Sequence, residues 1–208
     1  INGVAVTSCL VAAGQMQDAD IMTVEGLSET EIGAVLQRCF IDHGAVQCGF
    51  STPGMLMSAY ALLQQNPDPT REEIKEAIAF AHERGVKVYI TANILAHNDD
   101  LAGVEQYFEE LKDIRPDALI ISDPGVFAIA KRVLPDMELH VSTQANNTNY
   151  GTYLFWHQLG AKRVVSAREL SLKEIKEIRA HIPEDMQIES FIHGAMCISY
   201  SGRCLLSN

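Results

Sequence analysis

The chain has 208 residues, a formal net charge of −11 at pH 7, a pI near 5.0 and 47% apolar residues. This acidity argues against a grip on nucleic acid by the whole surface, although it is compatible with a local basic groove. No apolar run approaches the roughly 18 residues of a membrane helix, and no secretion-signal pattern opens the sequence. We therefore expect a cytoplasmic protein without a membrane partner.

The first predicted element is a helix over residues 26–45. Ser28 is its predicted N-cap, with Glu31 in the reciprocal position of a capping box. Its apolar residues recur at helical spacing and are Ile32, Val35, Leu36 and Phe40.

Two more helices follow, over residues 52–67 and 70–85. Pro53 lies in the first turn of one, and Thr70 is the predicted cap of the other. Because no strand separates these elements, we expect residues 1–69 to form a helical segment.

The pattern changes at Val86, where buried strands begin to alternate with amphipathic helices. Strands are predicted over 86–94, 117–122, 137–143, 162–167 and 186–194, and helices over 99–114, 124–134, 149–160 and 171–182. Regular β/α alternation predicts a parallel sheet with helices outside. Since a barrel of eight units needs about 250 residues, residues 70–208 predict an α/β fold, a partial (β/α) barrel of five parallel strands. Such a sheet exposes an edge strand, through which we expect self-association.

Polar residues lie in or directly after every predicted strand, toward the edge where parallel β/α proteins gather their chemistry. They are Asn93, His97, Ser122, Asp123, His140, Ser142, Gln144, Asn146, Arg168, Glu169, Glu189, His193, Cys197 and Cys204. From this set, Arg168, Glu169, Glu189 and His193 are the candidate catalytic residues. Arg168 and Glu169 are either a mutually neutralising pair or an anion clamp beside a proton acceptor, and their spacing does not choose between the two.

Cys197 and Cys204 lie seven positions apart in a Gly- and Ser-rich tail. They are buried thiols, or a nucleophile assisted by His193, or ligands of a soft metal or iron–sulfur site. The five cysteines fall into two distant groups, which fits reduced thiols or metal ligands better than a disulfide framework.

The same tail carries a family resemblance. Residues 189–207, "ESFIHGAMCISYSGRCLLS", fill every specified position of the peptidase U32 signature, and "HVSTQANNTN" and "ARELSL" are similar to the same family. The resemblance covers about residues 70–208 and implies an incomplete (β/α) barrel. Some members are named as proteases, whereas others hydroxylate tRNA, ribosomal RNA or ubiquinone precursors, so a peptide or RNA substrate is implied. In the hydroxylating members a [4Fe-4S] cluster has two ligands at the positions of Cys197 and Cys204, and its other ligands lie further along than this chain reaches.

Residues 1 to about 78 resemble a different family, the [2Fe-2S] subunit of molybdenum hydroxylases. The resemblance rests on "INGVAVTSCLV" and on the stretch from "EGLSETEIGAVLQRCF" to "EEIKEA". It implies that Cys9 is a ligand of one cluster, that Cys48 is a ligand of a second, and that Gln47 lies near the molybdopterin. Ser51 stands where the next thiolate ligand belongs, and serine is a poor iron ligand beside thiolate. We therefore expect [2Fe-2S] binding to be lost.

Three hypotheses follow from these patterns. The first is a U32-type segment acting as a peptidase or as an iron–sulfur hydroxylase, and the second is a [2Fe-2S] electron-transfer module. The third is an inactive hybrid of two family fragments joined near residues 70–79. The U32 signature is the most specific of the signals, whereas the number of expected cluster ligands favours the third hypothesis.

Overall fold

The computed structural model describes residues 1–42, 52–68, 70–94, 96–192, 197 and 199–203. These residues form two compact units, one ending at Thr70 and the other beginning at Arg71. We call the first the helical unit and the second the sheet unit. None of the helices in these ranges combines the length and the apolar character needed to cross a bilayer.

The described part of the helical unit contains three α-helices: α1 (Val24–Leu27), α2 (Glu31–Asp42) and α3 (Thr52–Gln65). The sheet unit contains the helices α4 (Arg71–Glu83), α5 (Leu101–Ile114), α6 (Pro124–Val133), α7 (Tyr150–Gln158) and α8 (Leu172–His181). Its strands are β1 (Tyr89–Ala92), β2 (Ala118–Ile121), β3 (Glu138–Val141), β4 (Arg163–Val165) and β5 (Gln187–Glu189).

Helix α2 is capped by Thr30, so the predicted Ser28 cap is wrong. The hydroxyl oxygen of Thr30 accepts a hydrogen bond from the Gly33 backbone N–H at 3.0 Å. Ser28 instead has helical backbone angles at the end of α1 and donates its hydroxyl proton to the Glu25 carbonyl. An N-cap residue needs an extended backbone, which Ser28 lacks because the preceding turn is itself helical.

The helical unit buries few of its apolar side chains. Leu27 is fully buried and Leu56 nearly so, but Val35, on the predicted apolar face of α2, is 58% exposed. Ile32 and Leu36 are half-buried beside Leu63. The helical spacing therefore predicted the helix correctly, whereas the face it predicted is only partly covered.

The five strands form one sheet in their sequence order, and every neighbouring pair is parallel. This confirms the prediction of an α/β fold with five parallel strands. Because parallel crossovers are right-handed, a sequential order places the connecting helices on one side of the sheet, as in a segment of a (β/α) barrel. Among the described strands β1 and β5 each pair with one neighbour, so both are edges.

The helix-facing side of the sheet, the core face, is the hydrophobic core of the sheet unit. Strand residues Leu119, Ile121, Leu139, Val141 and Val164 pack there with helix residues Phe108, Leu111, Phe127, Tyr153, Trp156 and Ile178. Each fully buried large apolar side chain contributes about 1.5–3 kcal/mol, so this face carries most of the unit's stability.

Side-chain caps fix where the outer helices begin. Asp123, which directly follows β2, accepts from the Val126 N–H at 2.9 Å and starts α6. Ser171 and Glu174 form a capping box at α8, in which the Glu174 carboxylate accepts from the Ser171 N–H at 2.8 Å. Asp123, one of the polar strand-end residues, is therefore a helix cap in the structure.

Candidate functional site at the strand ends

The face of the sheet opposite the core, the polar face, is arranged in three layers set by the strand register. The lowest layer holds Tyr89, Ala118 and Glu138, and the middle layer holds Thr91, Ile120, His140, Arg163 and Gln187. The upper layer, at the carboxyl ends, holds Asn93, Ser122, Ser142, Val165 and Glu189. Hydrogen-bonding side chains outnumber apolar ones on this face, in contrast to the core face.

A histidine is buried in the middle layer. His140 is fully buried, its Nε2 lies 2.7 Å from Glu138 Oε1, and the Tyr89 ring meets it edge-on at 4.9 Å between centroids. Burial lowers the pKa of His140, and the hydrogen bond to Glu138 opposes that shift. Its Nδ1 has no hydrogen-bond partner among the described residues. His140 is therefore a buried imidazole in the layer below the strand ends, and its burial disfavours the protonated form.

Arg163 occupies the neighbouring position on β4 and binds across to β5. Its guanidinium donates to Gln187 Oε1 at 2.6 and 2.8 Å and to Glu189 Oε2 at 3.0 Å. Glu189, a predicted catalytic residue, is thus engaged in an ion pair, which holds an edge strand to the sheet.

Amide and hydroxyl groups dominate the upper layer and the loop after β3. Asn93 Nδ2 donates to Ser142 Oγ at 3.0 Å, and this hydrogen bond connects the ends of β1 and β3 across the end of β2. Asn147 donates to the Ser142 carbonyl at 3.2 Å and accepts from the Trp156 indole N–H at 3.0 Å. The Ser122 hydroxyl is buried among them, with no partner in the described ranges. The strand ends therefore present neutral hydrogen-bonding groups in fixed positions.

A segment of the tail, residues 199–203, lies against these strand ends and is held by the loop after β4. Arg168 Nη2 donates to the Ser199 carbonyl at 2.8 Å, and Glu169 Oε1 accepts from the Ser201 N–H at 2.7 Å. The Ser201 hydroxyl accepts from the Arg168 N–H at 3.3 Å and lies 3.3 Å from the Thr143 hydroxyl. Ser201 is 1% exposed, so the middle of the segment is buried.

Gly202 lets this segment approach the loop after β3. Its φ of +68° lies in the left-handed region, and a Cβ at this position would be 2.3 Å from the Gln144 carbonyl oxygen. Only glycine combines that backbone conformation with so close an approach.

The structure brings Arg168 and Glu169 together on the 199–203 segment. Cys197 is half-buried two residues before that segment. Cys9 lies in a short 3₁₀ turn of the helical unit, Ser8–Leu10. The predictions for Gln47, Cys48, His193 and Cys204 concern positions outside the described residues.

The described residues do not by themselves fit a four-ligand cluster. Across the described ranges no group of three or more His, Cys, Asp or Glu side chains is placed to hold a metal ion. Cys197 is the one described thiol in the sheet unit.

The sequence reasoning missed two residues of this contact, Thr143 on the loop after β3 and Ser201 within the tail segment. The Gly- and Ser-rich composition around Ser201 and Gly202 was the available signal, because such residues allow tight backbone packing. Nothing in the spacing showed which loop they would contact.

A singly wound parallel sheet with a polar cluster at its carboxyl ends defines a β/α protein of the barrel class. Within that class the chain belongs to peptidase family U32, whose family model matches residues 54–208. This confirms the resemblance inferred from the tail. The resemblance was predicted to begin at about residue 70, but the match begins earlier, at residue 54 within α3.

Curated relatives include RNA-modification proteins. The chain is 46% identical over 149 residues to tRNA hydroxylation protein P1 of Bacillus subtilis, which covers 72% of this chain and 35% of that protein. It is 45% identical over 148 residues to tRNA hydroxylation protein P of Escherichia coli, covering 71% of this chain and 32% of the relative. It is also 34% identical over 175 residues to the 23S rRNA 5-hydroxycytidine C2501 synthase of Escherichia coli. That alignment covers 84% of this chain and 25% of the relative. The chain thus spans about a third or less of the length of these relatives.

A solved structure, that of the U32 peptidase Mk0906, is similar at 18% identity with a TM-score of 0.49, over 59% of this chain and 52% of that one. None of the proteins named here is a [2Fe-2S] subunit, and the resemblance of residues 1–78 to that family stays a prediction.

Proposed function

We propose that this chain is the strand-end and cysteine-bearing part of a U32 protein that hydroxylates RNA. The observation that carries the proposal is the 46% identity over 149 residues with a tRNA hydroxylation protein. A relative named for hydroxycytidine in 23S rRNA supports the wider substrate class, a base of a structured RNA.

The polar face supports a nucleotide substrate. Proteins that modify a base take it out of its stack and read its edge by hydrogen bonds. Asn93, Ser122 and Ser142 offer uncharged donors and acceptors of the kind that a base edge pairs with. Because the net charge is −11, phosphate contacts must be local. Arg203, exposed within the tail segment, and Arg168, which binds that segment, are basic groups at this edge of the sheet.

We propose further that Cys197 and Cys204 supply two thiolates to a [4Fe-4S] cluster, with the other ligands provided from outside this pair. Thiolates are the usual ligands of such clusters, whose chemistry is electron transfer. The protein's own contribution in this proposal comes from the 199–203 segment, which lies between the two cysteines in sequence and is bound at the strand ends. Glu189 and His193 remain candidate catalytic residues in this proposal, with Glu189 oriented by Arg163.

Two alternatives receive less support. The family name suggests a peptidase, but in the described part of the chain no serine hydroxyl is hydrogen-bonded to a histidine, and the named curated relatives modify RNA. A [2Fe-2S] electron-transfer role for residues 1–78 would need the Cys9 and Cys48 sites to be completed by other thiolates.

The test is anaerobic expression of the chain in Escherichia coli that lacks its own tRNA hydroxylation protein P. Nucleosides heavier by one oxygen are then measured by mass spectrometry in tRNA and 23S rRNA, together with iron and acid-labile sulfide in the purified protein. We expect hydroxylated nucleosides and bound iron, both lost in Cys197→Ser and retained in Cys39→Ser, a control at an exposed cysteine of α2. Nucleosides no different from an empty-vector strain would overturn the proposed activity, and iron unaffected by Cys197→Ser would overturn the ligand assignment.

A further inference from the structure

We infer that Arg168 and Glu169 are positioning residues that fix the path of the 199–203 segment and so hold Cys197 and Cys204 in place. The two cysteines flank this segment directly, one two residues before Ser199 and the other next to Arg203. The role of the two cysteines as cluster ligands rests on the proposed function, whereas the positioning of the segment by Arg168 and Glu169 does not.

The contacts are of a kind that specifies a backbone path. Glu169 accepts from a backbone N–H and Arg168 donates to a backbone carbonyl, at 2.7 and 2.8 Å. Both bonds are charge-assisted, which makes them shorter and stronger than bonds between neutral groups. Because they recognise main-chain groups, they fix the shape of the loop whatever its side chains.

The segment is held from a second side by the loop after β3. The Thr143 hydroxyl contacts Ser201, and Gly202 packs on the Gln144 carbonyl. Contacts from both sides therefore fix the backbone at the middle of the segment, between the two cysteines in sequence. The loops after β3 and β4 therefore act together as a clamp on the tail.

This assignment also explains why Arg168 and Glu169 occur as adjacent opposite charges. Each charge binds a different backbone group of the tail segment. Arg168 donates to the Ser199 carbonyl, and Glu169 accepts from the Ser201 N–H. A free acid–base pair would have its carboxylate directed at a substrate, whereas the Glu169 oxygen is already engaged by the Ser201 N–H.

The test compares Glu169→Ala, Glu169→Gln and Arg168→Ala with Glu177→Ala, which changes an exposed glutamate on α8. The first measurement is hydrogen–deuterium exchange of the Ser201 amide. The second is the alkylation rate of Cys197 and Cys204 by iodoacetamide, read by peptide mass spectrometry on protein freed of iron by a chelator. Cys39, exposed on α2, is the internal reference thiol.

We expect Glu169→Ala to speed exchange at Ser201 by about tenfold, the effect of losing one charge-assisted hydrogen bond. Alkylation of both flanking cysteines should rise in parallel, with Cys39 unchanged. Glu169→Gln should restore most of the protection because its amide oxygen still accepts from the Ser201 N–H. Glu177→Ala should match the parent.

Exchange and alkylation at parent rates in both Glu169→Ala and Arg168→Ala would overturn the inference. Should either alanine variant fail to fold, as seen by Trp156 fluorescence, Glu169→Gln and Thr143→Ala supply the same comparison at smaller amplitude. These measurements need neither RNA nor iron. A failure of the proposed RNA hydroxylation would therefore leave them intact, and a negative result here would leave the RNA assay unaffected.

Discussion

The helical unit and the sheet unit are both rich in amphipathic helices, but they differ in what covers the apolar faces. In the sheet unit the helices pack on five strands, and Phe108, Phe127 and Tyr153 are at most 2% exposed. In the helical unit Val35 and Ile41 on α2 are 58% and 65% exposed. The difference shows that a helical hydrophobic pattern is enough to predict a helix. A core also requires a second surface that packs on the apolar face, and the pattern does not identify that surface.

The largest expected difference between the units comes from truncating one apolar side chain in each. Phe108→Ala should lower the free energy of unfolding of the sheet unit by about 3–5 kcal/mol, because it leaves a cavity in a closed core. Val35→Ala should change stability by less than about 0.5 kcal/mol. Urea unfolding followed by fluorescence measures the first directly, since Trp156 is the single tryptophan and lies in the sheet unit. Equal effects of the two variants would contradict the contrast in packing.

Removing one helix cap from each unit should give a smaller difference. Ser171→Ala should cost the sheet unit about 1 kcal/mol, the usual value of a capping hydroxyl. Thr30→Ala should reduce the helical circular dichroism of α2 without moving the Trp156 fluorescence transition, if the two units unfold separately. Ser28→Ala is the matched control, because Ser28 does not cap α2. A Thr30→Ala variant that shifts the fluorescence midpoint would show that the units unfold together.

The smallest expected effect is a pH dependence in the sheet unit. Burial lowers the pKa of His140 below its ordinary value of 6.5, so the unfolded chain binds the proton more readily than the folded one. The free energy of unfolding should therefore fall as pH drops below about 6.5, until the folded state is protonated as well. The hydrogen bond that the His140 ring donates to Glu138 favours the protonated imidazole and offsets part of this loss.

Urea midpoints measured by Trp156 fluorescence between about pH 7.5 and 5.5 test this dependence. His140→Gln should flatten the profile. The lowered pKa values of Asp117 and Asp185 act only at more acidic pH, below the ordinary aspartate range. An unchanged profile in His140→Gln would assign the dependence to other groups.

Much of the fold of the sheet unit followed from the sequence. The alternation of short apolar runs with amphipathic segments predicted each of the five strands and the helices between them. Right-handed crossovers then place those helices on one side of a sheet whose strands lie in sequence order. The boundaries were less accurate. The strand predicted over 86–94 is the four-residue β1, because hydrogen bonding to a neighbour, and not local composition, decides where a strand begins. The prediction of Ser28 as the N-cap was wrong for a similar reason, because Ser28 has helical backbone angles at the end of α1.

The site was less predictable than the fold. The rule that polar residues gather at the carboxyl ends of strands correctly pointed to Asn93, Ser122 and Ser142. It did not separate Glu189, which binds Arg163, from Glu169, which binds the Ser201 backbone. Those partners lie more than 20 residues away in sequence, and spacing carries no information about which of two carboxylates a distant group will reach.

The sequential strand order also has a consequence for how the chain folds. Each strand pairs with the strand nearest to it in sequence, so every crossover closes a loop that contains a single α-helix. The entropy lost on closing a loop grows with its length, and chains whose contacts are local fold faster than chains with distant pairings. The sheet can therefore assemble one βα unit at a time, each new strand docking on an edge already formed, so that late units add to the sheet without rearranging early ones.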